Sequence, residues 1–227
     1  MRLRSLLKTV IQRYGTLALL VNVLAGVLAG PALAAPVTIL ALGDSLTAGY
    51  GLPPEAAFPV RLEQALRSEG RDVRVINAGV SGDTTAGGLA RLEGALTAGP
   101  DVAIVELGAN DGLRGLDPKL TYGNLNTILD RLGAKRIDTL LTGMKMPPNY
   151  GRAYEAEFTA IYPRLAAGHK VVFYPFFLAG VAADLHLMQA DGMHPNAAGV
   201  DVVVAHILPS VRELLDRHAA GFARVKP

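Results

Sequence analysis

Short, unbroken apolar runs alternate along this chain with longer segments in which apolar residues recur at helical spacing. The runs cover residues 37–42, 73–76, 102–107, 139–142 and 171–174. Continuous apolar runs of this length are typical of strands buried on both faces, as in a parallel sheet. Strict alternation of strand and helix requires crossover connections, which put helices on both faces of the sheet. The pattern predicts an α/β fold, a three-layer α/β/α sandwich with a central five-stranded parallel sheet.

The segments between the runs carry their apolar residues on one face of a predicted helix. Phe58, Leu62 and Leu66 follow this spacing in the first of them, and Leu125 and Leu129 in a later one. Ligands of open α/β sheets bind beyond the carboxyl ends of the strands. We therefore expect a functional site at that edge.

Residues 1–34 have the three parts of a secretory signal peptide. The basic residues come first: Arg2, Arg4, Lys8 and Arg13. An apolar run over 17–28 follows, and the segment closes with Pro31-Ala32-Leu33-Ala34. The alternative is a retained membrane anchor, but the run is shorter than the ~20 residues that a bilayer span needs. We expect cleavage after Ala34 or Ala35, a single mature domain over 35–227, and a periplasmic or secreted location.

The charge balance changes once the predicted signal peptide is set aside. The whole chain has 22 Lys and Arg against 20 Asp and Glu. Four of the basic residues and none of the acidic ones lie in 1–34, which leaves 18 against 20 and a net charge of −2. Nucleic acids and anionic membrane surfaces bind clustered positive charge. We expect neither as the principal partner, and no stable membrane insertion after signal cleavage.

The chain contains no cysteine and no tryptophan. The missing cysteine excludes disulfides, a lipid-modified cysteine and a thiol nucleophile. The missing tryptophan disfavours a stacking platform for sugars or bases. The composition therefore fits small or flexible apolar substrates better.

A candidate nucleophile follows the first predicted strand, in Gly43-Asp44-Ser45. A serine at this turn presents its hydroxyl at the ligand-binding edge, next to backbone N–H groups that can face an oxyanion. The alternative is structural, because Asp and Ser are both common helix caps. The serine turn alone does not decide between the two.

A candidate base stands just before the last predicted helix, in Asp191-Gly192-Met193-His194. The spacing lets a carboxylate reach Nδ1 of the imidazole, which leaves Nε2 to accept a proton from a serine. We expect Asn196 to cap the helix that follows. A solvated or capping histidine is the alternative, and the serine turn makes it the weaker one.

Two further segments, 77–83 and 108–112, follow the second and third predicted strands. Glycines there allow a backbone N–H to approach a substrate closely, and the Asn110 side chain is a neutral hydrogen-bond donor. Ordinary turn chemistry is the alternative for both segments.

Taken together, these segments resemble the SGNH subgroup of the GDSL hydrolases. The matching motifs are GDSLTAGYG, NAGVSGDTTAGGLARL, VELGANDGLRG, MPPNYG and DGMHPN, which run in this order from residue 43 to residue 196. The likeness is greatest to the branch that contains bacterial periplasmic acyl-CoA thioesterases, lysophospholipases and arylesterases. It implies a flavodoxin-like sheet and a serine hydrolase that needs no cofactor. We expect no metal site, because no pair of the histidines outside these motifs has ligand spacing within a shared motif.

The resemblance also implies a role for particular residues. Ser45 would be the nucleophile, His194 the general base and then acid, and Asp191 the group that orients the imidazole. The oxyanion hole would consist of the N–H groups of Ser45 and Gly82 and the side chain of Asn110.

Other residues are placed by the resemblance less directly. Gly79 is also in the second block, but Gly82 matches the family's oxyanion glycine better. The loops that flank the acyl chain would contribute Leu113, Met146, Pro147 and Tyr150.

Three functions remain open at this point. The first is hydrolysis of acyl esters and thioesters, with a small-molecule substrate and a monomeric enzyme. The second is deacetylation of a carbohydrate, which other branches of the family perform. The third is a periplasmic binding protein that keeps the scaffold without the chemistry, and it is disfavoured because every catalytic position is filled.

Overall fold

The computed structural model describes residues 35–146 and 148–225. The predicted signal peptide, residues 1–34, and Pro147 lie outside the described residues. The strands are β1 (Val37–Gly43), β2 (Val73–Gly79), β3 (Val102–Glu106), β4 (Asp138–Thr142) and β5 (Val172–Tyr174). The α-helices are α1 (Ser45–Ala48), α2 (Phe58–Ser68), α3 (Thr85–Leu96), α4 (Ala109–Leu113), α5 (Pro118–Ala134), α6 (Arg152–His169) and α7 (Ala197–Val225). Two short 3-10 helices cover Pro54–Ala56 and Pro148–Tyr150.

The five strands form one parallel sheet in the order β2-β1-β3-β4-β5. This is the flavodoxin-like order, so the predicted fold class is confirmed. Gly43 pairs with Gly79 of β2 on one side and with Glu106 of β3 on the other. The chain therefore leaves β1, β2 and β3 at the same edge, and the order of the strands reverses between β1 and β3.

Helices cover both faces of the sheet, with α2 and α7 packed on each other in one layer and α3, α5 and α6 in the other. The apolar faces predicted from helical spacing are buried, as at Leu62, Leu66, Leu125 and Leu129. The expectation of strands buried on both faces holds for β1 and β3. It was wrong for β2, because an edge strand has a single neighbour and most of its residues stay partly exposed. No helix within residues 35–146 and 148–225 is both long enough and apolar enough to cross a membrane.

Candidate active site

Ser45 is the first residue of α1, a helix of four residues directly after β1. Asp44 caps this helix by accepting a hydrogen bond from the Leu46 N–H through Oδ1, at 3.0 Å. Gly43 has no room for a side chain, because a Cβ would overlap with Thr47 Oγ1 and Glu106 Oε2. The capping role considered for this turn thus falls to Asp44, and the Ser45 hydroxyl is left for another partner.

That partner is His194, which lies 149 residues further along the chain. Its Nε2 is 2.8 Å from Ser45 Oγ, and its Nδ1 is 2.6 Å from Asp191 Oδ2. Asp191 Oδ1 accepts the N–H groups of Met193 and His194, at 2.9 and 3.0 Å. Hydrogen bonds from these two N–H groups, that of His194 first, together with the hydrogen bond to the imidazole, lower the pKa of Asp191 to about 2. A carboxylate that is ionised at neutral pH therefore holds the imidazole with Nε2 directed at the serine.

The loop that carries His194 is fixed by residues that the sequence did not single out. Gln189 donates through Nε2 to the carbonyl oxygens of Tyr50 and Pro195, at 2.8 and 2.9 Å. Its own N–H donates to the His194 carbonyl at 2.7 Å. The Tyr50 ring lies 4.7 Å from the imidazole, centroid to centroid. Gln189 therefore connects the loop after α1 to the loop of Asp191 and His194.

Asn196 caps α7 as predicted, because its side-chain oxygen accepts a hydrogen bond from the Gly199 N–H at 3.0 Å.

The three donors expected to form the oxyanion hole belong to Ser45, Gly82 and Asn110. Across the described part of the chain, the N–H groups of Ser45 and Gly82 have no hydrogen-bond acceptor. Gly82 has φ 83°, which favours glycine. Asn110 Nδ2 donates to the carbonyl oxygen of Asp83 at 2.9 Å and to Asp44 Oδ2 at 3.2 Å.

Gly79, the other glycine of the second block, has a different environment. Its N–H already donates to Asn77 Oδ1 at 3.0 Å. A Cβ on Gly79 would overlap with the backbone of Ala48. Gly79 thus allows the end of β2 to approach α1 closely, while Gly82 keeps an unpaired N–H.

Arg91 of α3 holds the ends of β1 and β2 together. Its guanidinium donates to the carbonyl oxygens of Gly43 and Ala78, at 2.8 and 2.7 Å, and pairs with Asp83 at 2.5 Å. The arginine joins the turn of the nucleophile to the loop that presents Gly82. No local sequence pattern indicates this role, because two of the three contacts are to backbone carbonyl oxygens and one of these, that of Gly43, lies 48 residues away.

Asp111 is buried and structural. It accepts the N–H and hydroxyl of Thr85, at 2.8 and 2.5 Å, and the hydroxyl of Thr121 at 3.2 Å. It therefore anchors the start of α3 to the segment that carries Asn110.

Two buried carboxyl groups, those of Asp44 and Glu106, lie beneath the nucleophile turn. Both side chains have 0 % exposure. Burial raises the pKa of Asp44 to about 6, and burial together with the charge of Asp44 raises the pKa of Glu106 well above its usual range. The sequence does not indicate Glu106 as a candidate, because it lies within an apolar run that predicts only a strand.

Three of the four residues expected to flank an acyl chain are described. Leu113 and Tyr150 are exposed, and the Tyr150 hydroxyl donates to the Leu113 carbonyl at 3.0 Å. Met146 is buried against Gly112, where a Cβ would overlap with its sulfur. These residues join the loop before α6 to α4, the helix that carries Asn110.

A parallel α/β sheet that holds a hydrogen-bonded Ser–His–Asp chain at its carboxyl edge defines a serine hydrolase. The comparison with protein families agrees with this class. The GDSL-like Lipase/Acylhydrolase family matches residues 41–202. The chain belongs to this family and is a carboxylic ester hydrolase, which confirms the resemblance inferred from the sequence.

Curated relatives and solved structures are similar over most of their length. The chain is 42% identical to Esterase TesA of Pseudomonas aeruginosa over 183 residues, 80% of this chain and 91% of that protein. It is 45% identical to Thioesterase 1/protease 1/lysophospholipase L1 of Escherichia coli over 164 residues, 72% of this chain and 77% of that protein. The crystal structure of AlinE4, an SGNH-hydrolase family esterase, has a TM-score of 0.69 at 48% identity and covers 81% of this chain and 99% of its own.

Proposed function

We propose that this ester hydrolase works through an acyl-enzyme on Ser45. The observation that carries the proposal is the continuous chain of hydrogen bonds from Ser45 Oγ to His194 Nε2, at 2.8 Å, and from His194 Nδ1 to Asp191, at 2.6 Å. Both distances are within the reach that proton transfer requires.

The reaction begins when Ser45 Oγ attacks the carbonyl carbon of the acyl group and its proton passes to His194 Nε2. Asp191 stabilises the imidazolium that forms. The tetrahedral intermediate collapses, and His194 protonates the leaving alcohol or thiol. Water then enters, loses a proton to His194 and attacks the acyl-enzyme, which releases the acid and restores Ser45.

The oxyanion of both tetrahedral intermediates would be bound by the N–H groups of Ser45 and Gly82 and by Asn110 Nδ2. The first two are unpaired and need no rearrangement. One N–H of Asn110 would keep its hydrogen bond to the Asp83 carbonyl oxygen, which lies 2.9 Å from Nδ2. The other N–H would be shared between the oxyanion and Asp44 Oδ2, which lies 3.2 Å from Nδ2. Donors that are already in place cost no reorganisation during the reaction.

We expect Asn110→Ala to lower kcat by about two to three orders of magnitude, because loss of one oxyanion donor typically removes ~2.7–4 kcal/mol of transition-state stabilisation. Steady-state kinetics on a p-nitrophenyl ester and the free energy of unfolding would be measured together. The matched control is Asn126→Ala, since Asn126 lies on α5 and bonds to Asp130 instead. Turnover within about twofold of wild type would remove Asn110 from the oxyanion hole.

The substrates we propose are esters and thioesters of medium or long acyl chains. Leu113, on the same short helix as Asn110, and Tyr150, which bonds to Leu113, are exposed apolar side chains that offer a surface for such a chain. Relatives named as an esterase and as a thioesterase and lysophospholipase support this class of substrate.

We further propose that residues 1–34 are a cleaved signal peptide, that the enzyme acts in the periplasm or outside the cell, and that it is a monomer.

The substrate class is tested with p-nitrophenyl esters of two to about twelve carbons and with acyl-CoA thioesters of the same acyl groups. We expect kcat/KM to rise from the acetate towards the longer chains, with measurable thioester cleavage. A strong preference for the acetate would favour a carbohydrate O-acetyl esterase instead. A folded protein with no activity on any ester would contradict the function.

A further inference from the structure

The Glu106 carboxyl, at the end of β3, is fully buried and only half of it has hydrogen-bond donors. Oε2 accepts the Thr47 hydroxyl at 2.7 Å and the Asp44 N–H at 3.3 Å. Oε1 is buried and has no donor among the described residues. A carboxylate in such a place would leave part of its charge uncompensated, which is costly away from water.

The Asp44 carboxyl is the ionisable neighbour of Glu106, and each of its two oxygens accepts a hydrogen bond. It accepts the Leu46 N–H and one N–H of Asn110, at 3.0 and 3.2 Å. The charge of the Asp44 carboxyl is close enough to Glu106 to raise the pKa of the Glu106 carboxyl. Asp44 is therefore the member that can carry a negative charge, and Glu106 the member that can donate a proton.

The other charged and titratable groups around the pair have partners of their own. Arg91 contacts the Gly43 carbonyl but pairs with Asp83. Tyr162 of α6 donates its hydroxyl to the Leu107 carbonyl, and Asp111 of α4 accepts from two threonines. His194 acts electrostatically on Asp44, whose pKa it lowers, and it is paired with Asp191. In residues 35–146 and 148–225, no lysine or arginine forms an ion pair with either carboxyl group.

We propose that Glu106 is a positioning residue that stays protonated while the enzyme works. Its carboxyl group donates a hydrogen bond to the Asp44 carboxylate, so that the pair carries a single negative charge beneath Ser45. The proposal deepens the function proposed above and rests on it for its catalytic part. Burial raises the pKa of Glu106 well above its usual range, in agreement with a proton that is retained.

The shared proton has two consequences for the reaction. A second negative charge at this depth would oppose the oxyanion that forms on the other side of the Ser45 turn. Asp44 is also a weaker acceptor while it is hydrogen-bonded to Glu106, so Asn110 can offer its N–H to the oxyanion. Glu106 thus acts through Asp44 and Asn110 and does not touch the substrate.

The first test is the free energy of unfolding of the full chain between about pH 5 and about pH 9, for wild type and Glu106→Gln. Glu106 titrates near its ordinary value in the unfolded chain and well above it in the folded one. Between those two values the folded state holds one more proton, so its stability falls as the pH rises. We expect the wild-type folding constant to fall about tenfold per pH unit relative to Glu106→Gln, which cannot titrate.

The matched control is Glu63→Gln, because Glu63 also accepts a backbone N–H, that of Val75, but is paired with Arg67. It should keep the pH dependence of wild type. A ratio of wild-type and Glu106→Gln folding constants that does not change with pH would overturn the proposal. If Glu106→Gln does not fold, infrared spectroscopy of wild type at about pH 8 decides, because ordinary carboxyl groups are ionised there. A protonated carboxyl band supports the proposal, and its absence refutes it.

The second test is kinetic. Glu106→Gln keeps an uncharged donor, so we expect its kcat to stay within about tenfold of wild type, while Glu106→Ala loses more, mainly in kcat rather than in KM. A folded Glu106→Gln as impaired as Glu106→Ala would overturn the positioning role. If wild type hydrolysed no ester, the proposed function would fail, while the unfolding measurements would still report on the proton of Glu106.

Discussion

Ser45→Ala is expected to lower kcat by about six orders of magnitude, and His194→Ala by about as much. Ser45→Ala removes the oxygen that attacks the substrate, and His194→Ala removes the base that accepts the proton of that oxygen. The double variant should be no worse than either single one, because the two residues act as a unit. Rates of p-nitrophenyl ester hydrolysis, corrected for the uncatalysed reaction, would be compared with wild type.

The controls remove the same groups elsewhere in the fold. Ser68→Ala deletes a hydroxyl that bonds to the Ala65 carbonyl at the end of α2, and His206→Ala an imidazole that bonds to the Ala179 carbonyl. Both should keep wild-type rates. A folded Ser45→Ala enzyme with more than about one hundredth of wild-type turnover would show that Ser45 is not the nucleophile.

Asp191→Asn is expected to lower kcat by about four orders of magnitude with little change in the fold. Oδ1 of Asp191 accepts two backbone N–H groups, so an asparagine must keep its oxygen there. Its amide nitrogen then faces His194 Nδ1 and donates to it. The imidazole is forced into the tautomer that carries its proton on Nε2, which cannot accept the proton of Ser45.

A matched control exists for this change. Asp184 also lies in a turn and accepts the N–H of a residue two positions later, His186, at 2.9 Å. Asp184→Asn should therefore leave kcat unchanged. Asp191→Asn turnover above about one tenth of wild type would mean that the imidazole is oriented by something other than this carboxylate.

The layers of the fold could be predicted because the apolar pattern of each strand and helix depends on which of its own faces are buried. A central strand such as β3 is buried on both faces and reads as an apolar run, and α5 reads as a helix with one apolar face. The edge position of β2 could not be predicted in this way. Its exposure depends on which strands pair, and the run at 73–76 contains no sign of its position in the sheet.

The same distinction applies to the site. Ser45, His194 and Asp191 stand in short local motifs whose residue types match their chemistry. The residue types of Arg91, Gln189 and Glu106 do not indicate their roles, although Arg91 and Glu106 lie within matched motifs, because they act on backbone atoms or carboxyl groups that only the folded chain brings near. Glu106 is the clearest case, since a glutamate that ends an apolar strand gives no indication that it will be enclosed beside Asp44.

Covalent labelling tests whether Ser45 is the nucleophile activated by His194. A p-nitrophenyl phosphonate reacts with an activated serine, and tryptic peptides are then analysed by mass spectrometry. The peptide that ends at Arg61 contains, after Ala34, a single serine, Ser45. We expect one adduct per chain, on this peptide, and none or very slow labelling in Ser45→Ala and His194→Ala. An adduct on another residue, or equal labelling of His194→Ala and wild type, would contradict it.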